Sequence, residues 1–120
     1  MRRPAVLVVE DEILIRFMVT DYLRSAGYIV VEAANAAEAL EVLTSGERVD
    51  IMFTDVQMPG TMDGLMLVRW VYENRPGVKV LVTSGKGDGA ALSSGLIAGE
   101  AFFSKPYSLD VVASRIRSLV

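Results

Sequence analysis

The fold is decided by one stretch of the sequence, Val49-Asp50-Ile51-Met52-Phe53-Thr54-Asp55-Val56-Gln57-Met58-Pro59-Gly60. Its apolar centre, Ile51 to Phe53, is typical of a strand buried on both faces, as in a parallel sheet between two layers of helices. Asp55 follows this strand, and open α/β sheets bind their ligands at the carboxyl ends of their strands. Asp is also common in turns, where it caps the backbone. The stretch alone therefore leaves two interpretations of Asp55 open, a functional carboxylate and a turn residue.

Strand and helix patterns alternate along the chain on both sides of this stretch. The predicted strands are the short apolar runs 5–9, 28–31, 50–54, 78–82 and 101–103. The predicted helices are 13–26, one that opens with a capping box at Asn35 and Glu38 and ends at Gly46, 65–74, a short one at 90–96, and one that begins after Ser108. This order predicts a doubly wound α/β fold with a five-stranded parallel sheet, as one domain over residues 1–120.

The periodicity of the helices also predicts which side chains they bury. In the first helix, apolar residues spaced i, i+3, i+4 and i+7 predict a buried face of Ile15, Met18, Val19 and Tyr22. In the last helix, apolar residues spaced i, i+3, i+7 and i+10 predict burial of Leu109, Val112, Ile116 and Leu119. Both helices should therefore pack against the sheet along one stripe.

Composition excludes several classes of function. The net charge of −3, without a basic stripe on any predicted helix, argues against a nucleic-acid surface. The chain contains neither Cys nor His, which excludes disulfides, thiolate zinc sites and histidine acid–base chemistry, so any phosphohistidine must come from another protein. No apolar run reaches the length of a membrane span, and the first residues do not resemble a secretory signal. We therefore expect a cytoplasmic protein.

The predicted topology brings a set of charged and hydroxyl side chains to one edge of the sheet. Right-handed crossovers place all strand carboxyl ends at that edge, which then collects Glu10, Asp11, Asp55, Thr83, Ser84 and Lys105. Three carboxylates repel one another unless cations lie among them, and oxygen ligands without His or Cys favour Mg²⁺. A carboxylate nucleophile, a hard cation and a Lys together indicate phosphoryl transfer to Asp. The competing interpretation is a surface ion-pair network.

Five short motifs carry a resemblance to a known family. They are Val8-Val9-Glu10-Asp11-Glu12, Thr54-Asp55-Val56-Gln57-Met58-Pro59-Gly60, Met62-Asp63-Gly64, Val82-Thr83-Ser84 and Ser104-Lys105-Pro106. In this order and spacing, the motifs resemble those of the receiver domains of two-component response regulators, the CheY-like family. The resemblance covers the whole chain and implies the flavodoxin-like strand order 2-1-3-4-5.

The resemblance implies how the acidic residues act. Asp55 would accept a phosphoryl group from a phosphohistidine on a histidine kinase or a histidine phosphotransfer protein. Mg²⁺ would be held by Asp11, Asp55 and the backbone carbonyl of Gln57, with Glu10 acting through water. Such a domain is a phosphoacceptor and not an enzyme, beyond self-phosphorylation from small donors and self-dephosphorylation.

The resemblance also implies a switch. Lys105 would bind the phosphoryl group, Thr83 would move to it, and Phe102, at a position where many relatives carry Tyr, would turn inward. The glycine-rich segment 85–99 is expected to rearrange, to exchange its amide protons fastest, and to change the face formed by the helix at 90–96, the fifth strand and the last helix. Thr61 lengthens the loop after the acidic site by one residue relative to the usual motif.

Further expectations concern partners. Leu14 and Phe17 lie off the predicted buried face of the first helix, next to Asp11, where they are expected to dock a kinase helix. The protein is expected to be a monomer or weak dimer, and either a stand-alone receiver or a piece of a longer protein.

Two alternative functions belong to other classes. A Mg²⁺-dependent phosphatase of the haloacid-dehalogenase type also places a nucleophilic Asp at a strand end. That class usually needs a second Asp two residues later, where this chain has Gln57. A flavin-binding flavodoxin needs a hydroxyl-rich phosphate loop after the first strand, where this chain has Glu10-Asp11-Glu12.

Overall fold

A parallel sheet with helices on both faces forms the framework of the protein. The computed structural model describes residues 3–58, 60, 62–84 and 101–120. Within them lie the strands β1 (Ala5–Val9), β2 (Ile29–Ala33), β3 (Ile51–Asp55), β4 (Lys79–Ser84) and β5 (Phe102–Ser104), and the helices α1 (Ile13–Ser25), α2 (Ala36–Thr44), α3 (Gly64–Asn74) and α4 (Leu109–Leu119). All strand pairs are parallel in the order β2-β1-β3-β4-β5, which confirms the predicted fold and order.

Some predicted features lie outside the described residues. These are the helix at 90–96, the glycine-rich segment 85–99 and the position of Thr61. None of the helices in the described ranges combines the length and the hydropathy needed to cross a membrane.

The core consists of two apolar layers, one on each face of the sheet, because successive strand side chains point to opposite faces. One layer joins the sheet to α2 and α3 and includes Leu7, Val9, Met52, Val82, Leu43 and Leu67. The other joins it to α1 and α4 and includes Val6, Val8, Phe53, Leu81, Leu23 and Ile116. Complete burial of each such side chain contributes about 1.5–3 kcal/mol, so these layers hold the strand ends in fixed register.

The buried face of α1 differs from the predicted one. Of the four predicted residues only Val19 is fully buried, and Met18 is 58% exposed, so its prediction was wrong. Thr20 and Leu23 are buried instead. Nearly every residue from 13 to 19 is apolar, so the periodicity does not single out one stripe. Packing of α1 between β2 and α4 decides which side faces inward.

In α4 the prediction was closer. Val112 and Ile116 are buried, while Leu109 and Leu119 pack against the core with part of their surface exposed. This helix therefore covers its face of the sheet along the predicted stripe.

The helix starts follow local hydrogen bonds that the sequence predicts. Asn35 Oδ1 accepts from the Glu38 N–H at 2.9 Å, and Glu38 Oε1 accepts from the Ala34 N–H at 2.7 Å, which is a capping box with its return bond one residue earlier. Ser108 caps α4 by accepting from the Val111 N–H. These caps fix where α2 and α4 begin.

Candidate functional site

The carboxyl ends of the strands bring the predicted site residues to one edge of the sheet. Asp55 is the last residue of β3, one residue beyond the predicted end, and it pairs in register with Thr83 of β4. The ladder continues past both strands, because the Val56 N–H donates to the Thr83 carbonyl at 2.9 Å and the Lys105 N–H donates to the Ser84 carbonyl at 2.8 Å. The backbone itself therefore holds Asp55, Thr83 and Lys105 in adjacent positions.

Lys105 joins two buried carboxylates. Its Nζ donates to Asp55 Oδ2 at 2.8 Å and to Glu10 Oε1 at 3.0 Å. Asp55 is 6% exposed and Glu10 is 5% exposed. Buried carboxylates are costly unless a counter-charge and hydrogen bonds accompany them. Lys105 supplies the counter-charge for both.

The second oxygen of each carboxylate is bound by a backbone N–H. Asp55 Oδ1 accepts from the Gln57 N–H at 3.1 Å, and Glu10 Oε2 accepts from the Glu12 N–H at 3.1 Å. Both carboxylates are thus held at two points. The turn that follows each strand sets the orientation of the carboxylate that precedes it.

The electrostatic environment of the site changes several pKa values. Burial raises the pKa of Glu10, although hydrogen bonds from the Glu12 N–H and from Lys105 oppose this. Burial would lower the pKa of Lys105, but its hydrogen bonds to Asp55 and Glu10 and their charges outweigh it, so the pKa rises. Burial, together with the charge of Glu10, raises the pKa of Tyr107 to about 12. Lys105 therefore stays protonated at neutral pH.

An acidic cluster surrounds Asp55. Glu10, Asp11 and Asp55 each offer a carboxylate oxygen, and these oxygens all lie within 4.8 Å of one another. Among the described residues, the three carboxylates of this cluster outnumber the one ammonium that pairs with them, that of Lys105. An all-oxygen donor set with this excess of carboxylates fits a hard divalent cation such as Mg²⁺. This cluster could therefore bind a metal ion.

Thr83 and Phe102 lie on neighbouring strands, β4 and β5. Thr83 is buried and faces Asp55 across the β3–β4 ladder. Phe102 pairs in register with Val82 and packs, partly buried, against the core layer of α2 and α3. Thr83 itself pairs with Phe103, so the two predicted switch residues are one register step apart and on opposite faces of the sheet.

Gly64 is a residue of the site to which sequence reasoning assigned no role. A Cβ atom at this position would lie 2.0 Å from the carbonyl oxygen of Asp55 and 2.7 Å from the Cα of Val56. The Gly64 N–H also donates to the Val56 carbonyl at 2.8 Å. The motif Met62-Asp63-Gly64 contained the signal, but only the packed structure shows that α3 begins against the backbone of Asp55.

The exposed side of α1 carries an apolar patch close to the site. Leu14 is 70% exposed and Phe17 is 62% exposed, and Ile13 and Met18 extend the patch. Beside it, between α1 and α4, lies a pocket of about 420 Å³ lined by Ile15, Met18, Val19, Lys105, Pro106, Tyr107 and Leu109. Because Lys105 lines both the pocket and the acidic cluster, the two features are contiguous.

The fold is a flavodoxin-like α/β fold with an acidic cluster at the carboxyl edge of its sheet. The family model of the response regulator receiver domain matches residues 6–117. The chain therefore belongs to the receiver domains of two-component response regulators, which are phosphoacceptor signalling domains. The interpretation of the sequence as a member of this family is confirmed.

Curated relatives differ in size. The chain is 38% identical over 117 residues to the sensor kinase CckA of Brucella abortus, an alignment that covers 96% of this chain and 12% of that protein. It is 25% identical over 118 residues to sporulation initiation phosphotransferase F of Bacillus subtilis, covering 98% of this chain and 94% of that protein. The first curated relatives are much longer, and the chain spans only 12–29% of their length.

Solved structures share the fold. A response regulator receiver protein from Pseudomonas putida is 31% identical, with a TM-score of 0.85 and 98% of each chain covered. The response regulator TrrA from Thermotoga maritima, solved in complex with Mg(2+)-BeF, is 26% identical, with a TM-score of 0.85, covering 98% of this chain and 99% of that one.

Proposed function

We propose that Asp55 is the phosphoacceptor and receives its phosphoryl group from a phosphohistidine on a histidine kinase or histidine phosphotransfer protein. The observation that carries this proposal is the buried Asp55 carboxylate, held by Lys105 Nζ at 2.8 Å and by the Gln57 N–H at 3.1 Å. These 120 residues contain no His, so the phosphohistidine lies outside them. The family match over residues 6–117 supports a single receiver domain over 1–120.

The acidic cluster is the proposed Mg²⁺ site. Asp11, Asp55 and the backbone carbonyl of Gln57 would hold the ion, and Glu10 would act through water. The excess of carboxylates over the Lys105 ammonium in the described cluster and the all-oxygen donor set support this assignment. When bound, Mg²⁺ supplies neutralisation of the charge on the phosphoryl oxygens.

The transfer step follows from the contacts of Asp55 and Lys105. A carboxylate oxygen of Asp55 forms a bond to phosphorus while the phosphorus–nitrogen bond of the donor breaks and its electron pair returns to the imidazole. The Lys105 ammonium, already 2.8 Å from Asp55 Oδ2, shifts its hydrogen bond to a phosphoryl oxygen. The domain accepts the group, with self-phosphorylation from small donors and self-dephosphorylation as its own reactions.

The proposed switch begins at Thr83. Its hydroxyl would donate a hydrogen bond to the phosphoryl group on Asp55 and so move the end of β4. Phe102, one register step away, would then turn inward and change the face formed by β5 and α4 that output partners recognise. The ladder pairing of Thr83 with Asp55 and the partial burial of Phe102 support this route.

The apolar patch of α1 is the proposed docking surface for the phosphodonor. A helix that presents a phosphohistidine would place apolar side chains against Leu14 and Phe17 and into the neighbouring pocket. Lys105 lines that pocket, so a donor seated there would have its phosphoryl group beside Asp55.

Intact-mass measurement with acetyl phosphate or phosphoramidate tests the phosphoacceptor. Wild type should gain one phosphoryl group only when Mg²⁺ is present, and Asp55→Asn should gain none. Asp50→Asn is the matched control, because Asp50 precedes the amino end of the same strand, where it accepts from the Ala5 N–H at 2.7 Å. If the Asp55→Asn variant is labelled as much as wild type, Asp55 is not the phosphoacceptor.

A further inference from the structure

The acidic loop, Glu10-Asp11-Glu12, connects β1 to α1 and presents two of the three clustered carboxylates. Glu10 is fixed by three hydrogen bonds. Its N–H donates to the Ala33 carbonyl at 3.0 Å, and its two carboxylate oxygens accept from Lys105 and from the Glu12 N–H. Asp11, in contrast, is exposed, so its position depends on the residues on either side of it.

Arg16 ties this acidic loop to the helix that follows it. Its Nη1 donates to the Glu10 carbonyl at 2.7 Å, and its backbone N–H donates to the Glu12 carbonyl at 2.9 Å. Its Nε donates to Glu32 Oε1, on β2, at 3.3 Å. The bond to Glu12 is the ordinary backbone bond of the first helical turn. The side chain of Arg16 itself holds the main chain just before Asp11 and anchors it to the neighbouring strand.

The charge of Arg16 does not favour its place in the helix. A positive charge near a helix N-terminus interacts unfavourably with the helix dipole. The first turn of α1 has neither a side-chain cap nor an acidic residue that would offset the charge of Arg16. Glu32 neutralises Arg16, and it also pairs with Arg24 at 3.3 Å. A positive charge this close to the cluster would by itself oppose metal binding. Any favourable effect of Arg16 on metal binding must therefore come from its hydrogen bond to the Glu10 carbonyl.

We propose that Arg16 is a positioning residue of the Mg²⁺ site, which fixes the Glu10 carbonyl and thereby sets where Glu10 and Asp11 present their carboxylates. This inference rests on the proposed Mg²⁺ site. The proposed role of Arg16 is to set the geometry of the acidic loop, and not only to stabilise the fold.

Calorimetric titration with Mg²⁺ compares Arg16→Ala with the matched control Arg24→Ala, which also loses an ion pair to Glu32 but does not contact Glu10. We expect Arg16→Ala to weaken Mg²⁺ binding about tenfold, as outer-shell losses do, and Arg24→Ala to change it less than about twofold. Arg16→Lys, whose single ammonium can replace only one of the two side-chain contacts, should lose about threefold. Without Mg²⁺, amide exchange at Glu12 should accelerate in Arg16→Ala and not in Arg24→Ala.

Three results would overturn the inference: equal losses in Arg16→Ala and Arg24→Ala, Mg²⁺ affinity of Arg16→Ala within twofold of wild type, or tighter binding, which is the result of a pure charge effect. If Arg16→Ala does not fold, Arg16→Lys carries the same comparison. Wild type that does not bind Mg²⁺ would instead overturn the proposed metal site, and the exchange measurement would still test the contact of Arg16 with the acidic loop.

Discussion

The Lys105 ammonium lies 2.8 Å from Asp55 Oδ2, although 50 residues separate the two in sequence. Lys105 follows β5 and Asp55 ends β3, so the side chain reaches past the end of β4, which lies between them. It reaches further to Glu10, after β1. One cation thus serves carboxylates from two strands, and this arrangement leads to several predictions.

Replacing Lys105 with Ala should destabilise the metal-free protein. Two buried carboxylates lose their counter-charge, which is expected to lower the free energy of unfolding by about 1–3 kcal/mol. Saturating Mg²⁺ should recover part of this loss, because it supplies positive charge to the same cluster. Urea unfolding with and without Mg²⁺ measures both effects. Lys79→Ala, at the exposed start of β4, is the control, and equal stability of both variants would contradict the prediction.

Asp11 and Glu12 should differ in their effect on Mg²⁺ binding. Asp11 contributes an oxygen to the acidic cluster and Glu12 does not. Asp11→Ala is therefore expected to weaken Mg²⁺ binding by about tenfold or more, whereas Glu12→Ala should weaken it by less than about twofold. Calorimetric titration gives both affinities. Equal losses in the two variants would show that the cluster does not hold the ion in the proposed way.

Gly64→Ala should damage the fold at the site. Its methyl group would overlap the Asp55 carbonyl, which as backbone cannot move aside cheaply, so we expect a loss of about 2–4 kcal/mol in the free energy of unfolding. Gly77→Ala is the control, because no atom lies within 4 Å of its added Cβ. Thermal unfolding of both variants is the measurement, and a neutral Gly64→Ala would mean that α3 does not start against Asp55.

Truncating the apolar patch of α1 should slow phosphoryl transfer from a protein donor but not from a small-molecule donor. Leu14→Ala and Phe17→Ala are expected to slow transfer from a phosphorylated histidine phosphotransfer domain about tenfold or more, as truncated interface anchors do. Labelling by acetyl phosphate should be unchanged, since neither residue touches Asp55. Met66→Ala, an exposed apolar residue of α3, is the control. Slower labelling by both donors would assign these residues to the fold instead.

Thr83→Val tests the switch. Valine keeps the volume of the buried side chain but lacks the hydroxyl, so labelling of Asp55 should persist while coupling to Phe102 is lost. Beryllofluoride should shift the backbone NMR signals of residues 101–104 in wild type and much less in Thr83→Val. Equal shifts in the two proteins would exclude the hydroxyl of Thr83 from the route.

The local features of the fold were predictable from the sequence. Buried strands appear as apolar runs, and caps such as Asn35 and Ser108 bond to an N–H three residues away, so both signals lie within one short segment. Chain order and crossover handedness then sufficed to place Asp55, Thr83 and Lys105 at one edge.

Other features required the tertiary structure. Periodicity and crossover handedness were enough to predict which residues meet at the carboxyl edge, whereas the strand order was implied by the family motifs. Only the packed fold decided that α1 exposes Met18 and buries Leu23, since an apolar run on every side of a helix has no unique inner face. The approach of Gly64 to Asp55 and the bond from Arg16 to the Glu10 carbonyl also depend on where a helix settles against a strand end. Those distances arise from packing between elements, which no local pattern encodes.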